Sequence, residues 1–159
     1  MQKEIQHTWF LTQPPATVWE YLTRADLISQ WLMENDFQPI VGHHFMFRTN
    51  PVPHMDFDGN VYCQVLEVQP PKKLSYSWKY GPEPGKINLE TIVTWTLVQK
   101  NRGTELRLVH TGFKEPENDI GFEIMYKGWD ENIKNRMENF MNRHLNHETQ
   151  VDPRQMGNL

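Results

Sequence analysis

The feature that most constrains this chain is a stretch near its C-terminal end. From about Gly121 to Leu145 no proline interrupts the sequence. Met125, Trp129, Ile133, Met137, Phe140 and Met141 recur there at three- and four-residue steps, with Lys127, Asp130, Glu131, Lys134, Glu138 and Asn142 between them. That is the pattern of a long helix with one apolar face. At about 1.5 Å per residue it reaches ~35 Å, enough to cross a whole sheet. Such a face must be buried against another element, so the rest of the chain has to supply a surface of matching length.

The preceding sequence supplies strands. Ile5, His7, Trp9 and Leu11 share one face of a first strand. Pro14-Pro15 ends it and suits the first turn of a helix carrying Val18, Trp19 and Leu22. Asp26 is the expected cap of a second short helix with Leu27, Ile28 and Trp31. From residue 42 the period becomes two. Phe45 and Phe47 share a face, Tyr62–Val68 is a mostly apolar strand, and Leu74, Tyr76 and Trp78 alternate with Ser75, Ser77 and Lys79. Val93, Trp95 and Leu97 alternate with Thr94, Thr96 and Val98, and Asn101-Arg102-Gly103 reads as a tight hairpin connection. Leu106, Leu108 and His110 then share one face. Residues 49–58 and 81–85 carry the Pro, Gly, Asn and Asp of loops. The order is strand, two short helices, a run of antiparallel strands and one long helix. This predicts an α+β domain in which a curved antiparallel sheet wraps around the C-terminal helix. Where curvature keeps sheet and helix from meeting, a pocket is expected.

Residues 1–145 are expected to form one domain and 146–159 a polar tail carrying Pro153 and Gly157. With 159 residues the chain is long enough to fold without a disulfide or metal. Cys63 is the one cysteine, so no intrachain disulfide can form, which fits a reducing compartment. Behind Lys3 there is no apolar run of the kind a secretory leader has, and no stretch approaches the length of a membrane span. A cytoplasmic location is expected. The net charge of −4 argues against a nucleic-acid partner. Six Trp, eight Phe, five Tyr and eight Met concentrate the apolar area in a few large side chains. These build a core, and they also line cavities well.

Several segments together resemble the START-like superfamily, also called SRPBCC or birch-pollen-allergen-like. Within it they resemble bacterial relatives of the C-terminal domain of the heat-shock-protein-90 ATPase activator. The resemblance lies in Pro14-Pro15-Ala16-Thr17-Val18-Trp19, Leu27–Trp31, the run from Gly59 to Trp78, the run from Gly103 to Phe113, and Gly128-Trp129. It spans about residues 5–145. It implies a helix-grip fold with a cavity between sheet and long helix. Members of the superfamily bind lipids, sterols, flat aromatics or hormones, some are enzymes, and the eukaryotic namesake is a co-chaperone.

The candidate ligand-binding set is Trp31, Phe45, Phe47, Trp78, Trp95, His110, Met125, Trp129, Ile133 and Met137. The bland reading of most of them is core packing. Met125, Met137 and Met141 would make an adaptable wall. His110 is the residue that could orient a ligand's polar group or move a proton, and His7 is a weaker candidate of the same kind. A histidine on an apolar face is nevertheless more often a satisfied core residue. Cys63 sits in an apolar strand, where a thiol is inert packing. No Ser/His/acid arrangement appears, so no catalytic residue is assigned. His43 and His44 are adjacent and point to opposite faces of a strand, and His144 and His147 read as a solvated helix end. No metal and no cofactor are expected. Glu34, Asp36, Asp56 and Asp58 read as solvated loop charge. Three functions compete. The first is binding of a small, largely apolar molecule in the sheet–helix cavity. The second is a co-chaperone-like module contacting a chaperone ATPase, with the acidic loops at 34–36 and 115–119 and the polar tail as contacts. The third is a cyclase or hydratase using His110. A homodimer is a further possible partnership.

Overall fold

The structure is a computed structural model that describes residues 2–143. The expected tail, 146–159, and His144 and His147 lie outside the described residues. The first strand, β1 (Gln2–Leu11), is followed by α1 (Pro15–Thr23) and α2 (Ala25–Trp31). Five strands pair in hairpin fashion after them: β3 (His44–Arg48), β4 (Asn60–Gln69), β5 (Lys73–Tyr80), β6 (Leu89–Lys100) and β7 (Gly103–Lys114). A two-residue strand, β2 (Glu34–Asn35), was not foreseen. All pairings are antiparallel, in the order β1-β7-β6-β5-β4-β3-β2. The last element, α3 (Asp119–Glu131), continues without a break into a π-helical segment, Asn132–Met137, and further helix to residue 143. This is the α+β helix-grip arrangement.

β1, β3 and β6 follow the expected alternation. In β1 Ile5, Trp9 and Leu11 are buried, in β3 Phe45 and Phe47, and in β6 Val93, Trp95 and Leu97. Pro15 takes the first turn of α1, where its missing N–H costs nothing. Asp26 does not cap α2. Arg24 holds the N-cap position, and the Asp26 carboxylate, in the first turn, instead pairs with the Arg24 guanidinium at 2.8 Å. Asn35 explains why a strand begins after α2: its amide donates to the Ala25 and Met33 carbonyls and its Oδ1 accepts from the Phe37 N–H. Asp36 and Asp58 are also structural. Asp36 accepts from the Met46 N–H, and Asp58 from the Asn60 N–H and the Tyr62 hydroxyl.

Two departures from ideal geometry set the inner face. In β7 the register against β1 skips Gly112, because Lys3 pairs with Phe113 and Glu4 with Thr111. Gly112 has φ +106 and is the extra residue of a bulge. The bulge resets the alternation, so His110 and Phe113, three residues apart, both point inward and are fully buried. In the long helix, Trp129, Ile133, Met137 and Met141 are buried at strict four-residue spacing. On a helix of about 3.6 residues per turn, three such steps overshoot by roughly one residue. The π-turns of Asn132–Met137 take up that residue and keep the stripe on one face.

Replacing Gly112 by alanine tests the bulge. An added Cβ would lie 2.9 Å from the Glu90 carbonyl oxygen at a φ that L residues rarely adopt. We expect Gly112→Ala to lower the unfolding free energy by about 1–3 kcal/mol, read from the urea midpoint at unchanged m.

Candidate functional site

Burial decides where the expected ligand-binding residues sit. Trp31, Phe45, Phe47, Trp78, Trp95, His110, Trp129, Ile133 and Met137 are all buried, and Met125 is half-buried. Ring meets ring across the grip. Trp95 lies 6.0 Å from Trp31 and 5.4 Å from Trp129, edge to face in both cases. Trp78 lies 5.3 Å from Phe47 and 5.2 Å from Trp129. These are ordinary aromatic packing distances, so the inner faces of sheet and helix fill one another. Met137 and Met141 are core residues. Of the three methionines expected to form an adaptable wall, Met125 is half-buried at the mouth of the grip, and Met141 also edges a depression by Gln13 and Arg24.

His110 is held at both nitrogens. The Trp129 indole N–H donates to Nδ1 at 3.1 Å, and Nε2 lies 2.7 Å from the Thr91 hydroxyl. Thr91 has one proton, and it donates it to the Trp78 carbonyl at 2.7 Å. Nε2 must therefore carry the imidazole proton and donate to Thr91, while Nδ1 accepts. The ring is neutral, its tautomer is fixed, and burial pushes its pKa down to about 3. This chain runs from the β5 backbone through β6 and β7 into the long helix. It leaves His110 no nitrogen for a substrate. His7 also has a structural partner, with its Nε2 2.9 Å from the Tyr126 carbonyl.

The other buried indoles are mostly paired. Trp9 donates to Asp130 at 2.8 Å, Trp31 to the Tyr21 carbonyl at 2.8 Å, and Trp95 to the Tyr76 hydroxyl at 3.0 Å. The bond from Trp9 is the main reason that the Asp130 carboxyl titrates below its ordinary value. Trp78 differs, because its Nε1 is buried with no hydrogen-bond partner. Cys63 is a buried free thiol whose pKa burial raises well above its ordinary value, the opposite of an activated nucleophile.

At the mouth of the grip the packing stops short. A groove of about 130 Å³ opens between the C-terminal end of α2 and α3, lined by Leu32, Met33, Trp78, Ile124, Met125, Gly128, Trp129 and Asn132. Its lining is almost wholly apolar. Three residues of the expected set, Trp78, Met125 and Trp129, contribute to it, and the other seven do not. Sequence reading missed Leu32, Met33, Ile124, Gly128 and Asn132. The available signal was Gly128, a glycine in mid-helix beside a tryptophan. Larger depressions lie elsewhere on the described residues. One, of about 580 Å³, runs along Pro14, Pro15, Pro71 and Leu97, a second, of about 550 Å³, lies by Gln13, Glu20, Arg24 and Met141, and a third, of about 290 Å³, lies by Phe10, Asn101 and Gly103. None of these touches any residue of the expected set.

The family model for "Activator of Hsp90 ATPase homolog 1-like protein" matches residues 12–142. No curated protein matches the chain. Among solved structures, protein MLL2253 from Mesorhizobium loti is 32% identical with a TM-score of 0.78, over 89% of this chain and 98% of that one. Protein BH1534 from Bacillus halodurans is 27% identical with a TM-score of 0.70, over 86% and 95%. The Aha1 dimer from Colwellia psychrerythraea is 19% identical with a TM-score of 0.65, over 82% and 90%, and shares the fold.

His110 gives the core a pH signature. Its folded pKa of about 3 lies below the ordinary value of 6.5. Between these values the unfolded chain binds a proton that the folded chain does not. The stabilisation is complete above pH 6.5 and is lost as pH falls toward 3. We expect denaturant unfolding between pH 6.5 and 4.5 to show a slope that is shallower in His110→Gln by up to about 1.4 kcal/mol per pH unit. An identical slope in both proteins would mean that the imidazole is reached by protons in the folded state.

Proposed function

The chain belongs to the Activator of Hsp90 ATPase homolog 1-like family, and from that premise and the packing of the grip we propose that it is a binding module that takes a small apolar group at the mouth groove. The observation that carries the reading is the groove itself: about 130 Å³ of apolar surface, with Trp78 and Trp129 at its inner end and Met33 and Met125 beside them. Pockets for drug-sized ligands run to roughly 300–1,000 Å³, whereas an apolar cavity on the order of 150 Å³ holds one benzene ring. A whole sterol or lipid does not fit such a space, so the ligand is a single-ring molecule or one that inserts a group of that size. The unbranched Met33 and Met125 allow the walls to adapt. The fully bonded, neutral His110 supports binding over acid–base catalysis.

A second reading is favoured by the family and by one surface feature. Ile120 and Ile124, one helical turn apart, are 58% and 41% exposed beside the groove. A chaperone partner could rest an apolar side chain there. Under this reading Ile124→Glu abolishes any stimulation of a chaperone ATPase measured as ATP turnover. A homodimer, the state of the Colwellia protein, and cytoplasmic residence belong to the same proposal. The described residues include no helix long and apolar enough to cross a membrane.

Titration calorimetry with toluene, indole, dodecanoate and a soluble sterol separates the ligand classes. The groove reading expects one saturable site for the single-ring compounds. It expects Ile124→Glu to weaken that site at least tenfold while changing stability by no more than about 0.5 kcal/mol, as for other surface substitutions. Stoichiometric sterol or fatty-acid binding that survives Ile124→Glu would place the ligand elsewhere.

A further inference from the structure

Gly128 is unexplained by the fold. It lies inside α3, four residues before the π-helical segment begins at Asn132, and its backbone does not have the positive φ that would require glycine. A Cβ built on it meets no atom within 4 Å. Helix backbone and packing would both accept alanine here. A glycine inside a helix is less favourable than alanine, because it gives up more backbone freedom on folding and buries nothing. The other glycines among the described residues are explained locally, by a positive φ or by a close approach of neighbouring atoms. At Gly121 an added Cβ would lie 2.5 Å from the Tyr80 hydroxyl, and at Gly103 it would lie 2.2 Å from the Leu11 carbonyl oxygen. Gly128 alone among these three faces empty space inside the protein's own helix.

That empty space is the mouth groove. Gly128 lies on its wall, between Ile124 and Met125 one turn before and Asn132 one turn after, with Trp129 beside it. The missing side chain leaves a bare strip of helix backbone there. We infer that Gly128 is a specificity-determining residue of this site, leaving open the backbone strip on which a flat, single-ring aromatic group of the ligand lies. This rests on the binding reading above and narrows it to a ligand class. A planar ring can approach a bare helix backbone closely along its whole face. A puckered aliphatic ring of the same carbon count is thicker and cannot. Trp78 and Trp129 at the inner end offer ring faces and edges, which favour an aromatic guest over an aliphatic one beyond the area buried. A methyl group at position 128 would occupy a sizeable share of a groove this small and lift the ring off the helix.

The test compares wild type with Gly128→Ala, using toluene and methylcyclohexane as paired probes, calorimetry for affinity and thermal melts for stability. In wild type, toluene binds about tenfold more tightly than methylcyclohexane. In Gly128→Ala toluene binding falls about tenfold or more, and the unliganded protein melts a few degrees higher. Tighter folding together with weaker binding is a combination that a purely structural glycine would not give. Unchanged toluene affinity in Gly128→Ala, or a lower melting temperature, overturns the role of Gly128 and leaves the groove reading standing. Equal affinity of wild type for both probes overturns the preference for a flat ring. If neither probe binds wild type, the groove reading itself falls, and this inference with it.

Discussion

The bond from the Trp129 indole to His110 holds the two layers of this protein in place. A long amphipathic helix on a curved sheet could slide or tilt, since apolar contact is non-directional. The chain Trp129–His110–Thr91–Trp78 carbonyl is directional. Every proton in it is assigned, and it joins three strands to the helix at one point. Because the imidazole must be neutral and singly protonated at Nε2 for the chain to close, the surrounding aromatics have to keep water away. They do so by packing against each other, and this packing fills the grip.

The location of the candidate site follows from that constraint. With the helix tied at Trp129, the turns that follow carry Ile133, Met137 and Met141 into the core through the π-segment. The turn that precedes it carries Met125 and Ile124 outward toward the end of α2. The groove lies where the end of α2 and this part of α3 approach without closing on one another. The buried, unpartnered Trp78 N–H lies on a ring in its wall. An orphan donor of this kind costs about 1–3 kcal/mol. It leaves a donor at this end of the core unsatisfied by the protein's own groups.

The fold was readable from the sequence because its signals are local and repeated. Period-two alternation in β1, β6 and β7 and the stripe from Met125 to Met141 each name a face, and hairpin signals such as Asn101-Arg102-Gly103 set the order. What could not be read were features in which a residue's role depends on a distant partner. Asp26 looks like a helix cap because its competitor, the turn formed at Arg24, leaves no compositional trace. The bulge at Gly112 depends on the register against β1, and only that register brings Phe113 inward. Sequence placed the aromatic set on the inner face but could not say how far the two faces approach each other, because that distance is fixed by contacts such as Trp95 against Trp129. The same limit hid the groove. Leu32 and Met33 carry no signal singly, and they become neighbours of Gly128 only when α2 and α3 converge.

The central claim is that a guest enters at the mouth and leaves the packed interior undisturbed. Its most direct test uses the indole N–H resonances of the tryptophans, followed by NMR while toluene is added. The account predicts that the Trp78 and Trp129 signals move together along one saturable curve, while those of Trp31 and Trp95 stay in place. Equal movement of Trp31 and Trp95 would show the guest inside the core, and no movement of Trp78 and Trp129 at saturating toluene would show that the mouth holds nothing. Either result would contradict the account.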